Sequence, residues 1–319
     1  MEQQFAHYST LLLLQLPLLD RLGMLALLLC LAGLPLLAVA GQSLAYSRGR
    51  GAYDKCARQL GRLGSWLGVV AVIWGGVALG MQYQSLPTLD LKNLAARENA
   101  LPLLMAGGWL CVVLFTLLNC LYTCLWQRLR TAPRLHQLLG FLAVLAAAAA
   151  VYAALLHLHA RAAAFAVSAP ADLRGLLMPD VEPFWTMVSY APFAAVALAG
   201  GYGALWLLLR RVADDYGRDH YNLVIPWCAG WARNGWLFLW LFVACRTGWR
   251  VFLLYEATGG KLDWVQFAPD VFGLLVLLPP GLWWLGVSHS ATPLRAKIAL
   301  FLAPLWATCC LLLLDMGVR

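Results

Sequence analysis

The chain reads as an all-α, polytopic membrane bundle of about eight transmembrane helices, with both ends outside. Three observations predict this class. Of the 319 residues, 62% are hydrophobic and only 12% are charged, about half the charged share of an ordinary soluble domain. The mean hydropathy is +0.72. The apolar residues gather into eight runs, each near the roughly 20 residues that a helix needs to cross the hydrocarbon core of a bilayer.

The runs cover 22–46, 62–84, 101–126, 135–159, 185–209, 234–256, 267–288 and 297–316. Residues 1–21 form an outer interfacial segment, or join the first helix through a bend at Pro17. The connections are short, so residues 1–319 make one integral membrane domain with no soluble domain left over. No cleavable leader is expected, because the N-terminus has no basic region and Asp20-Arg21 interrupts the first apolar run.

Basic residues set the orientation, since loops rich in Lys and Arg stay on the cytoplasmic side. The loops after the first, third, fifth and seventh runs carry 14 of them, against six on the opposite side. This predicts an N-out, C-out chain in a bacterial inner (cytoplasmic) membrane. The overall excess of 23 basic over 15 acidic residues is therefore read as inner-loop charge and not as a nucleic-acid surface. The nine cysteines include no CxxC pair and lie mostly in apolar runs, where Cys behaves as a small hydrophobe; neither a disulfide framework nor a metal site is expected.

Within the runs, the Ala-rich "AVLAAAAAVYAALL" and the "GGYG" at Gly200 to Gly203 predict close helix packing. Pro279-Pro280 predicts a kink. Trp185, Trp264, Trp283 and Trp284 suit interfacial aromatic belts.

Charged groups inside an apolar helix are costly, so each requires a reason. Arg246 and Arg250 lie four residues apart in "FVACRTGWRVF" and share one helix face. One reading is an Arg250–Asp270 ion pair pinning two helices, with Arg246 snorkelling outward. The other is a clamp near the outer face, because guanidinium forks suit haem propionates or a quinone headgroup. His157 and His159 end the fourth run at the same depth and are the outer candidates for cofactor binding. Being two residues apart, they point in different directions on a helix. His136, His220 and His289 fall at the inner interface, where solvated imidazoles are expected. The inner "DDYGRDHYN" stretch offers Asp214, Asp215, Asp219 and His220 either as metal ligands or as a solvated loop. No file of acids crosses the bilayer, which argues against a proton pump or ion-coupled transporter. Walker, Rossmann, HExxH and GxSxG motifs are absent.

Three stretches resemble subunit I of the bd-type quinol oxidases. The first is the basic inner loop containing Tyr53 and leading into the second helix, "YDKCARQLGRLGSWLGVVAVIWGGVALG". The second is "LPLLMAGGWLCVVLFTLLNCLYTCLWQRLRTAPRLHQLLGFLAVL", similar to that family's third helix, turn and fourth helix. The third is the C-terminal "FLAPLWATCCLLLLDMGVR". The resemblance implies a shortened membrane subunit of a respiratory or redox complex, docking to membrane or periplasmic redox partners. It also implies electron transfer involving quinone or haem b near His157, His159, Arg246 and Arg250. The family's haem-ligand positions are not kept: "LLDRLGML" has no His, "MAGGWLCVV" no Glu, "EPFWTMVSY" has Trp185 in place of His, and "FAPDVFGLL" lacks Arg-x-Met. No oxygen-reducing site is expected. A haem-free scaffold subunit and a small-solute transporter are the alternatives.

Overall fold

The structure, a computed structural model, describes the backbone of residues 2–83, 97–164, 177–179, 182–260 and 264–317. Side chains are described from residue 23 onward, except for 81–103, 130, 160–176, 180, 181, 183, 261–266, 270 and 312–319. Every regular element among these residues is helical. In chain order they are α1 (Glu2–Arg48), α2 (Gly51–Tyr83), α3 (Arg97–Cys124), α4 (Pro133–Ala164), α5 (Glu182–Asp214), α6 (Arg218–Ala257), α7 (Trp264–Val276), α8 (Leu278–Ser288) and α9 (Lys297–Gly317). Short 3-10 turns at Arg128–Thr131 and Pro293–Arg295 serve as connectors.

Among the described residues seven segments are long and apolar enough to cross a membrane, one of them formed by α7 and α8 together, and α9 adds a shorter apolar helix. The chain is therefore a multi-pass membrane protein, and the eight apolar runs correspond to these segments. Two boundaries differ from expectation. First, α1 is helical without interruption from Glu2 through Pro17 to Arg48. Second, α6 begins at Arg218, sixteen residues before the run at 234, because "RDHYNLVIPW" turns buried His220, Tyr221, Val224 and Ile225 inward. The expected inner loop shrinks to a turn at Asp215–Gly217.

Outward faces carry apolar stripes at helical spacing, such as Leu110, Leu114, Leu117 and Leu121 on α3. A water-facing stripe would be polar, so these faces meet lipid. Inside, α1 packs against α2, α4 and α5, and α5 against α6. Small residues allow the approach. A Cβ on Gly200 would lie 2.6 Å from the Ala232 nitrogen, and one on Gly235 would lie 2.8 Å from the Phe193 carbonyl oxygen. The Ala-rich run buries Ala143, Ala146, Ala147 and Ala150, as expected of close packing in lipid.

The kink falls where the prolines predict it. Pro279 and Pro280 have no N–H to donate to the carbonyls one turn back, and the span breaks between α7 and α8. Neighbouring tryptophans bond the carbonyls at the break. Trp306 Nε1 donates to Val276 O at 3.0 Å, Trp240 Nε1 to Leu274 O at 3.1 Å, and Trp236 Nε1 to Leu277 O at 2.6 Å. Lipid offers no substitute for these bonds. Trp236 is fully buried against Trp284, with ring centroids 5.8 Å apart. Trp284 is thus a core residue and not part of an interfacial belt, as its sequence position had suggested; Trp264 lies outside the described side chains. Replacing Trp236 with Phe removes one bond to the break and leaves a small void. It is expected to cost about 2 kcal/mol of stability, measurable by thermal or denaturant unfolding in detergent.

Candidate functional site

Helices α1 to α4 enclose an apolar cleft of about 340 Å³. Its walls follow from the sequence. On α2, Ala71, Gly75 and Ala78 recur at helical spacing and supply no bulk; Gly108 on α3 and Ala150, Ala153 and Ala154 on α4 do the same. Where these small residues face one another at this end of the four helices, a space stays open. Trp109 forms one wall, with its ring held by an Nε1–H bond of 3.0 Å to the Val72 carbonyl. A Cβ on Gly75 would come within 2.9 Å of that ring, so Gly75 makes room for the indole. His157, Met24 and Met105 bring heteroatoms, and among the described residues no Lys, Arg, Asp or Glu lines the cleft.

The cleft lies at the end of the bundle away from the basic loops. His157 is 21 residues beyond His136 on α4, roughly 30 Å at 1.5 Å per residue, about the hydrocarbon thickness. His136 sits among the basic connections, so His157 sits at the opposite side, the outer side on the charge reading.

The four predicted cofactor residues do not form one cluster among the described contacts. His157 lines the cleft, whereas His159 turns toward Phe184 at the start of α5, with ring centroids 5.6 Å apart. Arg246 pairs with Glu182, Nε to Oε1 at 3.7 Å, and is about a quarter exposed. The Glu182 carboxylate is 81% exposed, so this contact bridges α5 and α6 at the surface. Arg250 is exposed on α6. The expected Arg250–Asp270 pair cannot be followed, because the Asp270 side chain lies outside the described residues.

The inner histidines correct the expectation of solvated imidazoles. His136 is buried at 1% exposure and closes a ring of bonds joining α1, α3 and α4. The Gln42 amide donates to His136 Nδ1 at 2.6 Å, His136 Nε2–H donates to the Tyr122 carbonyl at 2.7 Å, and the Tyr122 hydroxyl donates to Gln42 Oε1 at 3.3 Å. An amide nitrogen can only donate, so the imidazole is the neutral Nε2–H tautomer. Tyr122 stacks on the same ring with centroids 4.2 Å apart, and Trp126 meets it edge-on at 4.7 Å. This network is saturated and works as a clasp. His289 alone of the three is exposed, with Nδ1 3.0 Å from the Leu285 carbonyl.

A second buried network joins α2, α5 and α6. His220 Nε2–H donates to Gln59 Oε1 at 3.3 Å, Gln59 Nε2 donates to Asp214 Oδ2 at 2.7 Å, and Arg210 Nη2 donates to Asp214 Oδ1 at 2.8 Å. Arg62 stands 3.9 Å from the same carboxylate. Asp214 and His220 are therefore partners in a buried network and not part of a solvated loop. Among the described residues no group of three or more His, Cys, Asp or Glu is placed to hold a metal. Gln42, Gln59 and Tyr122 were not singled out from the sequence. The available signal was a glutamine inside or beside an apolar run, a group that needs a buried partner.

No protein-family model matches the chain. No curated protein matches it either.

Proposed function

We propose that the chain is a quinone-binding membrane subunit of a redox complex, related in kind to the bd-type quinol oxidase subunit that its sequence resembles. The carrying observation is the outer cleft: an apolar space between α1 and α4, walled by Trp109 and lined by the imidazole of His157. An isoprenoid quinone has the matching chemistry. Its tail is apolar, its ring stacks on aromatic faces, and its carbonyls accept a hydrogen bond from an imidazole N–H. The described lining carries no charged residue, which suits a neutral headgroup. The partners of such a subunit are membrane or periplasmic redox proteins, and its membrane would be a bacterial inner membrane.

A b-type haem is the second reading. Met24 and Met105 share the cleft with His157, and thioether with imidazole is a competent axial pair. Haem propionates call for cations, and among the described residues none lines the cleft. The quinone reading is favoured on that ground. A reduced-minus-oxidised visible spectrum of the purified chain, expressed with haem supplied, separates the two: the quinone reading expects no b-type band.

The direct test fills the cleft. Ala153→Phe places a ring where Ala153 meets the space, and is expected to remove co-purifying quinone while the helical content stays unchanged. His157→Leu removes the hydrogen bond and keeps the volume; affinity is expected to fall about tenfold. His157→Gln, which can still donate, is expected to recover part of that loss. Quinone retained at wild-type levels in Ala153→Phe would sink the proposal.

A further inference from the structure

At the basic end of the bundle, a second pocket of about 820 Å³ lies between the α5–α6 turn and the start of α9. Arg211 and Arg218 line it from one side and Arg295 and Lys297 from the other, with Asp215 the only acid among the described residues of the lining. Two positive-φ residues, Asp215 at 37° and Gly217 at 85°, turn the chain within three residues and bring the ends of α5 and α6 together. None of the four cations forms an ion pair among the described residues, whereas nearby Arg210 and Arg62 are both taken up by Asp214. Gly217 caps α6 without a side-chain bond, so the first-turn N–H groups of a 40-residue helix also face this region.

The pocket is not built for water alone. Val212, in its wall, is 80% exposed, and Ile298, beside Lys297, is 76% exposed, the two highest values among the large apolar side chains described. Cations next to largely exposed aliphatic groups match a molecule with an anionic head and apolar chains.

We propose that this pocket binds the phosphate headgroup of an anionic phospholipid from the cytoplasmic leaflet, with the acyl chains lying along Val212 and Ile298. Arg211, Arg218, Arg295 and Lys297 hold the phosphate oxygens through charge-assisted bonds. The site stands apart from the outer cleft and does not depend on it.

The experiment uses the full-length chain, purified in a neutral detergent and stripped of lipid. Phosphatidylglycerol, phosphatidylcholine and inorganic phosphate are titrated separately, with binding followed by native mass spectrometry and thermal stabilisation. Each cation beside an anionic surface contributes about a fivefold factor, so Arg218→Gln with Lys297→Gln is expected to weaken phosphatidylglycerol binding about 25-fold. Arg211→Gln alone is expected to weaken it about fivefold and serves if the double variant does not fold. Arg128→Gln, an exposed inner arginine outside the pocket, is expected to bind as wild type. The proposal is overturned if phosphatidylcholine or inorganic phosphate binds as well as phosphatidylglycerol, if the pocket variants bind as wild type, or if Arg128→Gln loses as much as they do.

Discussion

Gly33→Val is expected to abolish the accumulation of folded protein. Gly33 lies on α1 where that helix crosses α5, and a Cβ there would collide with the Ala195 backbone carbonyl. The Ala195 carbonyl carbon and the Ala199 Cβ would lie 2.7 and 2.6 Å away. A clash with flexible side chains relaxes by changing rotamers; a clash with backbone requires the helices to part. In lipid, helix association rests on van der Waals packing and interhelical bonds, not on water exclusion, so parting α1 from α5 removes the attraction itself. The cost is expected to exceed the usual 1–3 kcal/mol of overpacking and to reach the several kcal/mol that separate a folded from an unfolded domain. Gly33→Ala carries the same Cβ and is expected to lose most of the folded protein as well. Gly80→Val, where an added Cβ meets nothing within 4 Å, is the control and is expected to fold as wild type. Size-exclusion chromatography and thermal unfolding in detergent give the readout, and normal folding of Gly33→Val would contradict the α1–α5 interface.

Asp214→Ala is expected to cost about 2 kcal/mol and to loosen the basic end. The Asp214 side chain is only 8% exposed and accepts from Gln59 and Arg210, with Arg62 at ion-pair distance. Removing it leaves the Gln59 amide, 1% exposed, without its acceptor. The two arginines are each about 40% exposed and can be taken up by water, which keeps the cost below the 3–5 kcal/mol of a fully buried charge left alone. Arg62→Ala, which loses only the 3.9 Å contact, is expected to change stability by less than about 0.5 kcal/mol. Unfolding of the three chains in one detergent orders them; an Arg62→Ala variant less stable than Asp214→Ala would contradict the hub role of the carboxylate.

These two sites mark the boundary of what the sequence makes legible. Span positions follow from hydropathy, and the break at Pro279-Pro280 follows from missing N–H groups, so both are readable locally. The "GGYG" patch is readable as close packing, although only the structure gives its partners: a Cβ on Gly200 meets α6, one on Gly201 meets Trp284, and one on Gly203 meets Leu60. The direction in which a residue faces is not readable, because core and lipid are equally apolar and hydropathy carries no inward signal. That is why Trp284 reads as a belt residue and is in the core. His136 and His220 read as interfacial for a related reason: each is buried by partners distant in sequence, Gln42 and Gln59, that no local spacing announces. The outer cleft was half legible. His157 is one of the two outer histidines that the sequence offers, but the small residues that open the space beside it lie on α2 and α3 as well as on its own helix.

The central claim is that the outer cleft holds a quinone at His157. Its most direct test is photo-crosslinking of the purified chain with an azido-quinone, followed by peptide mapping of the adduct. Labelling is predicted on α3 near Trp109 and on α4 near His157, competed by unlabelled quinone and lost in Ala153→Phe. Labelling confined to lipid-facing stripes such as Leu110 to Leu121, unaffected by competition or by Ala153→Phe, would contradict it.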